Sequence, residues 1–153
     1  MTIAHSETED RVRRHTAADV NWKIDREIAD RIRLYSQVDR DAITRRMEEL
    51  DREWDMERVL ETNAASFALT GTILGAFVNR KWLALPMIVT GFLLQHAVQG
   101  WCPPVPLLRR LGVRTRREIE RERYALKVLR GDFDKIIAEE NGDVEQLIAT
   151  VED

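Results

Sequence analysis

Cysteine is nearly missing from this chain. Cys102 is the single one in 153 residues, which excludes an internal disulfide framework and a multi-cysteine zinc site. The three histidines, His5, His15 and His96, have no metal-ligand spacing, and no metal or other cofactor is expected. Seven glycines and four prolines are too few for a collagenous or proline-rich chain. A basic excess is also lacking: 24 Lys and Arg against 27 Asp and Glu give a net charge of −3, which argues against a nucleic-acid binder. The opening residues lack the apolar stretch of a signal peptide.

The most informative shortage is local. From Thr62 to Leu108 there is no acidic residue, and the only bases are Arg80 and Lys81. The mean hydropathy of −0.39 hides this block, because the flanks are densely charged. Two uncharged runs, Thr62 to Val78 and Trp82 to Trp101, flank the polar step Asn79-Arg80-Lys81. At 1.5 Å per residue they predict helices of roughly 26 Å and roughly 30 Å, against a hydrocarbon core of about 30 Å.

This pattern predicts a two-helix transmembrane hairpin in an all-α protein. Arg80 and Lys81 at its tip argue against a loop that dips into one leaflet, since each would cost about 2.5–3.5 kcal/mol at the bilayer centre. Trp82 and Trp101 bracket the second run at the spacing of two aromatic belts. The rival reading is the core of a soluble bundle, suggested by the Thr, Ser, Asn63, Gln95, His96 and Gln99 within the runs. A soluble bundle needs a polar stripe on each helix, and the first run has only Thr and Ser to supply one. Bases near the hairpin's outer ends, Arg109 and Arg110 among them, outnumber the two at its tip, so both termini are expected in the cytoplasm. Trp82, Trp101, Arg80, Lys81, Arg109 and Arg110 are the expected membrane-interface anchors.

Small residues line the first run, with Ala68 and Thr72 beside Gly71-xxx-Gly75, and the second carries Gly91. Such a stripe lets helix backbones approach closely, either within the hairpin or between copies of the chain in a homo-oligomer. Both remain open from the sequence.

The charged flanks predict helical arms. Residues 1–18 are expected to be disordered, and 19–61 to form a first arm, with Trp22, Ile24, Ile28, Ile32 and Tyr35 on one helix. A second helix, from about Asp39 to Glu61, carries Ile43, Met47, Leu50 and Trp54. After the hairpin (62–108), residues 109–153 form a second arm. Thr115-Arg-Arg-Glu118 opens its first helix as a capping box and Gly131 closes it, and two short acidic helices follow, Asp132 to Glu140 and Asp143 to Glu152. The arms serve either as an intrachain collar or as a docking surface for a protein partner.

Gly100-Trp101-Cys102-Pro103, followed by Leu107-Leu108 and Leu111-Gly112, resembles the YgaP-like transmembrane domain family. Glu57-Arg-Val-Leu60 ahead of the first run fits as well, and the resemblance covers about Trp54 to Thr115. It implies a small, self-associating hairpin of the bacterial inner membrane with a cysteine at its mouth. The rhodanese module found fused to such hairpins is absent, and no strand–helix alternation replaces it. Cys102 is either a packed small residue at a proline corner or a reactive thiol whose pKa Arg109 and Arg110 lower. The expected function is a non-catalytic anchor, scaffold or assembly subunit in the lipid bilayer. The alternatives are a sulfur or redox accessory working through Cys102, and a channel subunit lined by Thr70, Thr72, Gln95, His96 and Gln99.

Overall fold

The computed structural model of the chain describes residues 10–133, and every regular element among them is a helix: α1 (Arg11–Arg14), α2 (Ala18–Tyr35), α3 (Arg40–Arg52), α4 (Met56–Phe77), a 3₁₀ turn (Arg80–Leu83), α5 (Ala84–Gln99), α6 (Val105–Arg110) and α7 (Arg116–Arg130). Most of the two expected acidic helices after Gly131 lies outside the described residues. The described chain forms two compact units, one from 10–25 with 54–117 and the other from 26–53 with 118–133. Helix α2 contributes to both.

In the first unit α4 and α5 pack as an antiparallel hairpin. Two glycines of α4 set the approach. A methyl placed on Gly71 would lie 2.6 Å from Pro86 Cδ and 3.0 Å from Leu85 Cβ, and one on Gly75 would lie 2.7 Å from Leu83 Cγ. Pro86 sits in the first turn of α5, where its missing N–H breaks no helical bond, so its flat ring can face the bare backbone of Gly71. Asn79 opens the connecting turn by accepting from the Lys81 amide at 2.9 Å.

The helix boundary before the hairpin differs from the periodicity. The helix expected to run to Glu61 stops at Arg52, and a new one starts at Met56. Asp55 caps it by accepting from the Arg58 amide at 2.8 Å. Met56 and Leu60 then enter the core with Val12, Cys102 and Val105, so the first turn of α4 belongs to the hairpin. Trp54, expected in the α3 stripe, stays exposed under the Arg58 guanidinium, 4.5 Å from its ring centroid.

The expected disorder of residues 1–18 is corrected from Asp10 onward. Asp10 caps α1 by accepting from the Val12 and Arg13 amides, and Val12 is buried in the same core. Arg11 Nη1 donates to the Ala97 carbonyl at 2.6 Å, placing a cation on the negative end of α5. Gly100 ends α5 with φ +76°, its N–H donating to the His96 carbonyl, and the main chain of Arg11 fills the space a side chain would need.

In the second unit Ile43, Met47 and Leu50 of α3 meet Ile119 and Leu126 of α7, with Tyr35 of α2 packed against them. These α3 positions are the ones the sequence stripe marks. Gly131, at φ +83°, closes α7: its N–H donates to Val128 O and that of Asp132 to Lys127 O, the paired bonds of a Schellman end. Glu122, also within the α7 stripe, is fully buried. Arg31 Nε donates to both its oxygens at 3.2 Å, and Arg46 Nε donates to it at 3.0 Å.

Candidate functional site

The hairpin shows water, or whatever surrounds it, an apolar surface. Phe67, Leu69, Ile73 and Phe77 of α4 are exposed, as are Met87, Ile88, Leu94 and Val98 of α5. Among the described residues one helix, Arg80–Gln99, is long and apolar enough to cross a membrane, and only 6 % of its apolar window is buried inside the protein. Helix α4 is longer, at 22 residues, but its opening turns carry Glu57, Arg58 and Glu61. Its uncharged part is 62–77.

Four of the five hydroxyls in these runs are taken up by their own helices. Ser66 donates to Thr62 O at 2.7 Å, Thr70 to Ser66 O and Thr72 to Ala68 O at 2.8 Å, and Thr90 to Pro86 O at 2.6 Å. The Asn63 amide donates to Val59 O at 2.7 Å in the same way. These donors therefore face the surroundings already bonded, the condition a lipid-facing helix must meet.

The small residues divide. Gly71 and Gly75 are buried against the 3₁₀ turn and the start of α5, whereas Ala68 is half-buried and Thr72 is exposed. A methyl on Gly91 would meet nothing within 4 Å.

Of the expected interface anchors, Arg80, Lys81, Trp82 and Arg110 are exposed and Trp101 is half-buried. Arg109 is not an anchor facing the surroundings. It is buried, donating to Asn21 Oδ1 at 2.8 Å and to Val113 O at 3.1 Å, and it braces α2 and the loop after α6 inside the first unit. Leu107 of α6 and Leu111 at its C-terminal cap are exposed beside Arg110.

Of the two readings of Cys102, the reactive thiol with a pKa lowered by Arg109 and Arg110 is not what the structure shows. The thiol is buried among Val12, Met56, Leu60 and Val105, and that desolvation pushes its pKa up. It is held as a thiol, the poorer nucleophile. Among the described residues no three His, Cys, Asp or Glu side chains come together as a metal site.

A cavity of about 290 Å³ opens between α4, α5 and the turn into α6. Leu60, Asn63 and Phe67 form one wall, Phe92 and His96 the other, and Cys102 lies at the end. The buried Nδ1 of His96 has no hydrogen-bond partner. The cavity was not legible in the sequence: α4 and α6 lie some forty residues apart, and no motif ties them. The lone histidine in an uncharged run was the one available signal. Compared with protein-family models, curated proteins and solved structures, the chain finds no match.

Proposed function

We propose that this chain is a small integral membrane protein of the bacterial inner membrane, a non-catalytic anchor whose α4–α5 hairpin spans the bilayer with both termini cytoplasmic. The observation that carries this reading is the exposure of the Arg80–Gln99 helix. A helix of that hydropathy in a soluble protein is a core helix and mostly covered, whereas here 6 % of it is. An exposed apolar surface continued over both hairpin helices is the surface lipid covers. The back-bonded hydroxyls support the same reading, and so does the charged first turn of α4, which suits the headgroup region.

The hairpin then tethers the charged second unit, whose surface is available to protein partners at the membrane face. The Gly71 and Gly75 contacts are used within the chain, so self-association would engage other residues. Washing bacterial membranes with carbonate and high salt tests the anchor. The chain is expected to stay in the pellet and to need detergent for release; a chain that washes off is not a spanning protein.

A further inference from the structure

We infer that α6 and its C-terminal cap lie in the membrane surface and bind anionic phospholipid, with Leu107 and Leu111 among the acyl chains and Arg110 at the phosphate. This rests on the spanning reading of the hairpin and adds to it a lipid class and the residues that meet it. The observation that carries it is that α6 is inside out. Val105 and Arg109 face inward at 0 % and 1 % exposure, while Leu107 and Leu111 stand out at 61 % and 72 %. A helix on a water-facing surface does the opposite, burying leucine and showing arginine. Two large apolar side chains beside one exposed cation are what an element lying in a bilayer surface presents.

The level of α6 agrees. Val105 shares a core with Met56 and Leu60, which precede the uncharged part of α4 by about 9 Å and about 3 Å of helix rise. With that uncharged part in hydrocarbon, α6 is level with the headgroups. The exposed apolar surface of α5 runs through Leu94 and Val98 toward the same corner. Pro103, Pro104 and Pro106 are exposed there and carry no N–H, so three backbone donors that would otherwise need water are missing. Charge sets the lipid class. No Asp or Glu occurs from Thr62 to Arg117, so nothing along this stretch repels an anion beside Arg110.

The test attaches the fluorophore NBD to Leu111→Cys in a Cys102→Ala background, an exposed position whose change leaves the core intact. The full-length protein is placed in nanodiscs of phosphatidylcholine and phosphatidylglycerol, and one lipid or the other carries a nitroxide high on its acyl chain. Both lipids are expected to quench the fluorophore. Phosphatidylglycerol is expected to associate about fivefold more strongly, the worth of one base near an anionic surface. In Arg110→Gln the two lipids should quench equally, with quenching by phosphatidylcholine retained. A second label on Ile88→Cys, with the nitroxide deep in the bilayer, reads the hairpin separately. Quenching at Ile88 without quenching at Leu111 would overturn the inference and leave the anchor standing. No quenching at Ile88 would refute the spanning reading and this inference with it. Equal quenching by the two lipids in the Arg110 protein, or a preference that survives Arg110→Gln, would also overturn it.

Discussion

Glu122 offers the sharpest test of the second unit. Its carboxylate is fully buried and held by Arg31 and Arg46, while those two side chains keep 30 % and 16 % of their surface. Replacing Glu122 with leucine takes the shared carboxylate from both guanidinium groups, of which Arg46 keeps its bond to Glu49 at 2.9 Å. Breaking a buried ion pair on one side costs about 3–5 kcal/mol. Both arginines here can turn partly to water, which places the expected cost near the low end, about 3 kcal/mol. At 1.4 kcal/mol per decade, that is roughly a hundredfold loss of amide protection in α7. Hydrogen exchange followed by mass spectrometry on peptides covering 118–130 reads it directly, with hairpin peptides from 84–99 as the internal control. A second variant separates charge imbalance from lost packing. Changing Arg31 and Arg46 to methionine together with Glu122→Leu removes all three charges and is expected to restore protection to near the wild-type level, since buried triads are often replaceable by apolar groups. Unchanged protection in Glu122→Leu would refute the buried triad. A triple variant no better than the single one would show that shape, not the lost carboxylate charge, carries the loss.

Two further outcomes follow from the hairpin and its corner. Gly71→Ala and Gly75→Ala are each expected to destabilise the hairpin by about 1–3 kcal/mol, the first because its methyl meets the Pro86 ring and the Leu85 Cβ, the second because it meets Leu83 Cγ and the Leu83 backbone nitrogen; unfolding in rising fractions of denaturing detergent checks both, and a neutral effect of either would contradict the packing. Cys102 is expected to react with N-ethylmaleimide more slowly than a small free thiol at pH 7.5 and to lose that protection when the protein is unfolded, because burial raises its pKa and the thiolate fraction at any given pH falls. A fast reaction at neutral pH on folded protein would reinstate the reactive-thiol reading.

What could be read in advance was local. The Ile43-Met47-Leu50 stripe and Gly131 closing α7 each follow from residues within one or two turns. The pairing of helices was harder. Gly71-xxx-Gly75 announces close approach but not to what, and only the turn geometry brings Leu83, Leu85 and Pro86 there rather than another copy. Trp54 continued the α3 stripe by spacing, yet Asp55 offered a cap one residue later and the cap prevailed. Arg31 fits an i,i+4 pair with Glu27 but reaches Glu122 in another helix. Glu122 itself sits at a core spacing between Ile119 and Leu126, so a carboxylate inside an apolar stripe was a visible sign that bases from elsewhere must meet it. His96 was the comparable sign for the cavity.

The discontinuity of the second unit imposes an order of events on a chain made from its N-terminus. Helix α3 is finished by Arg52, but α7, which supplies Ile119, Glu122 and Leu126, does not exist until more than sixty further residues have been added. At bacterial or slower synthesis rates that interval is on the order of 3–13 s. Throughout it Ile43, Met47 and Leu50 have no α7 to cover them, and Arg31 and Arg46 have no Glu122. The intervening stretch is the hairpin, so the second unit closes only after both apolar helices have left the ribosome. A ribosome stalled before residue 118 would hold a nascent chain whose greasy α3 face is open to holdase chaperones, and release of the full chain would hide it.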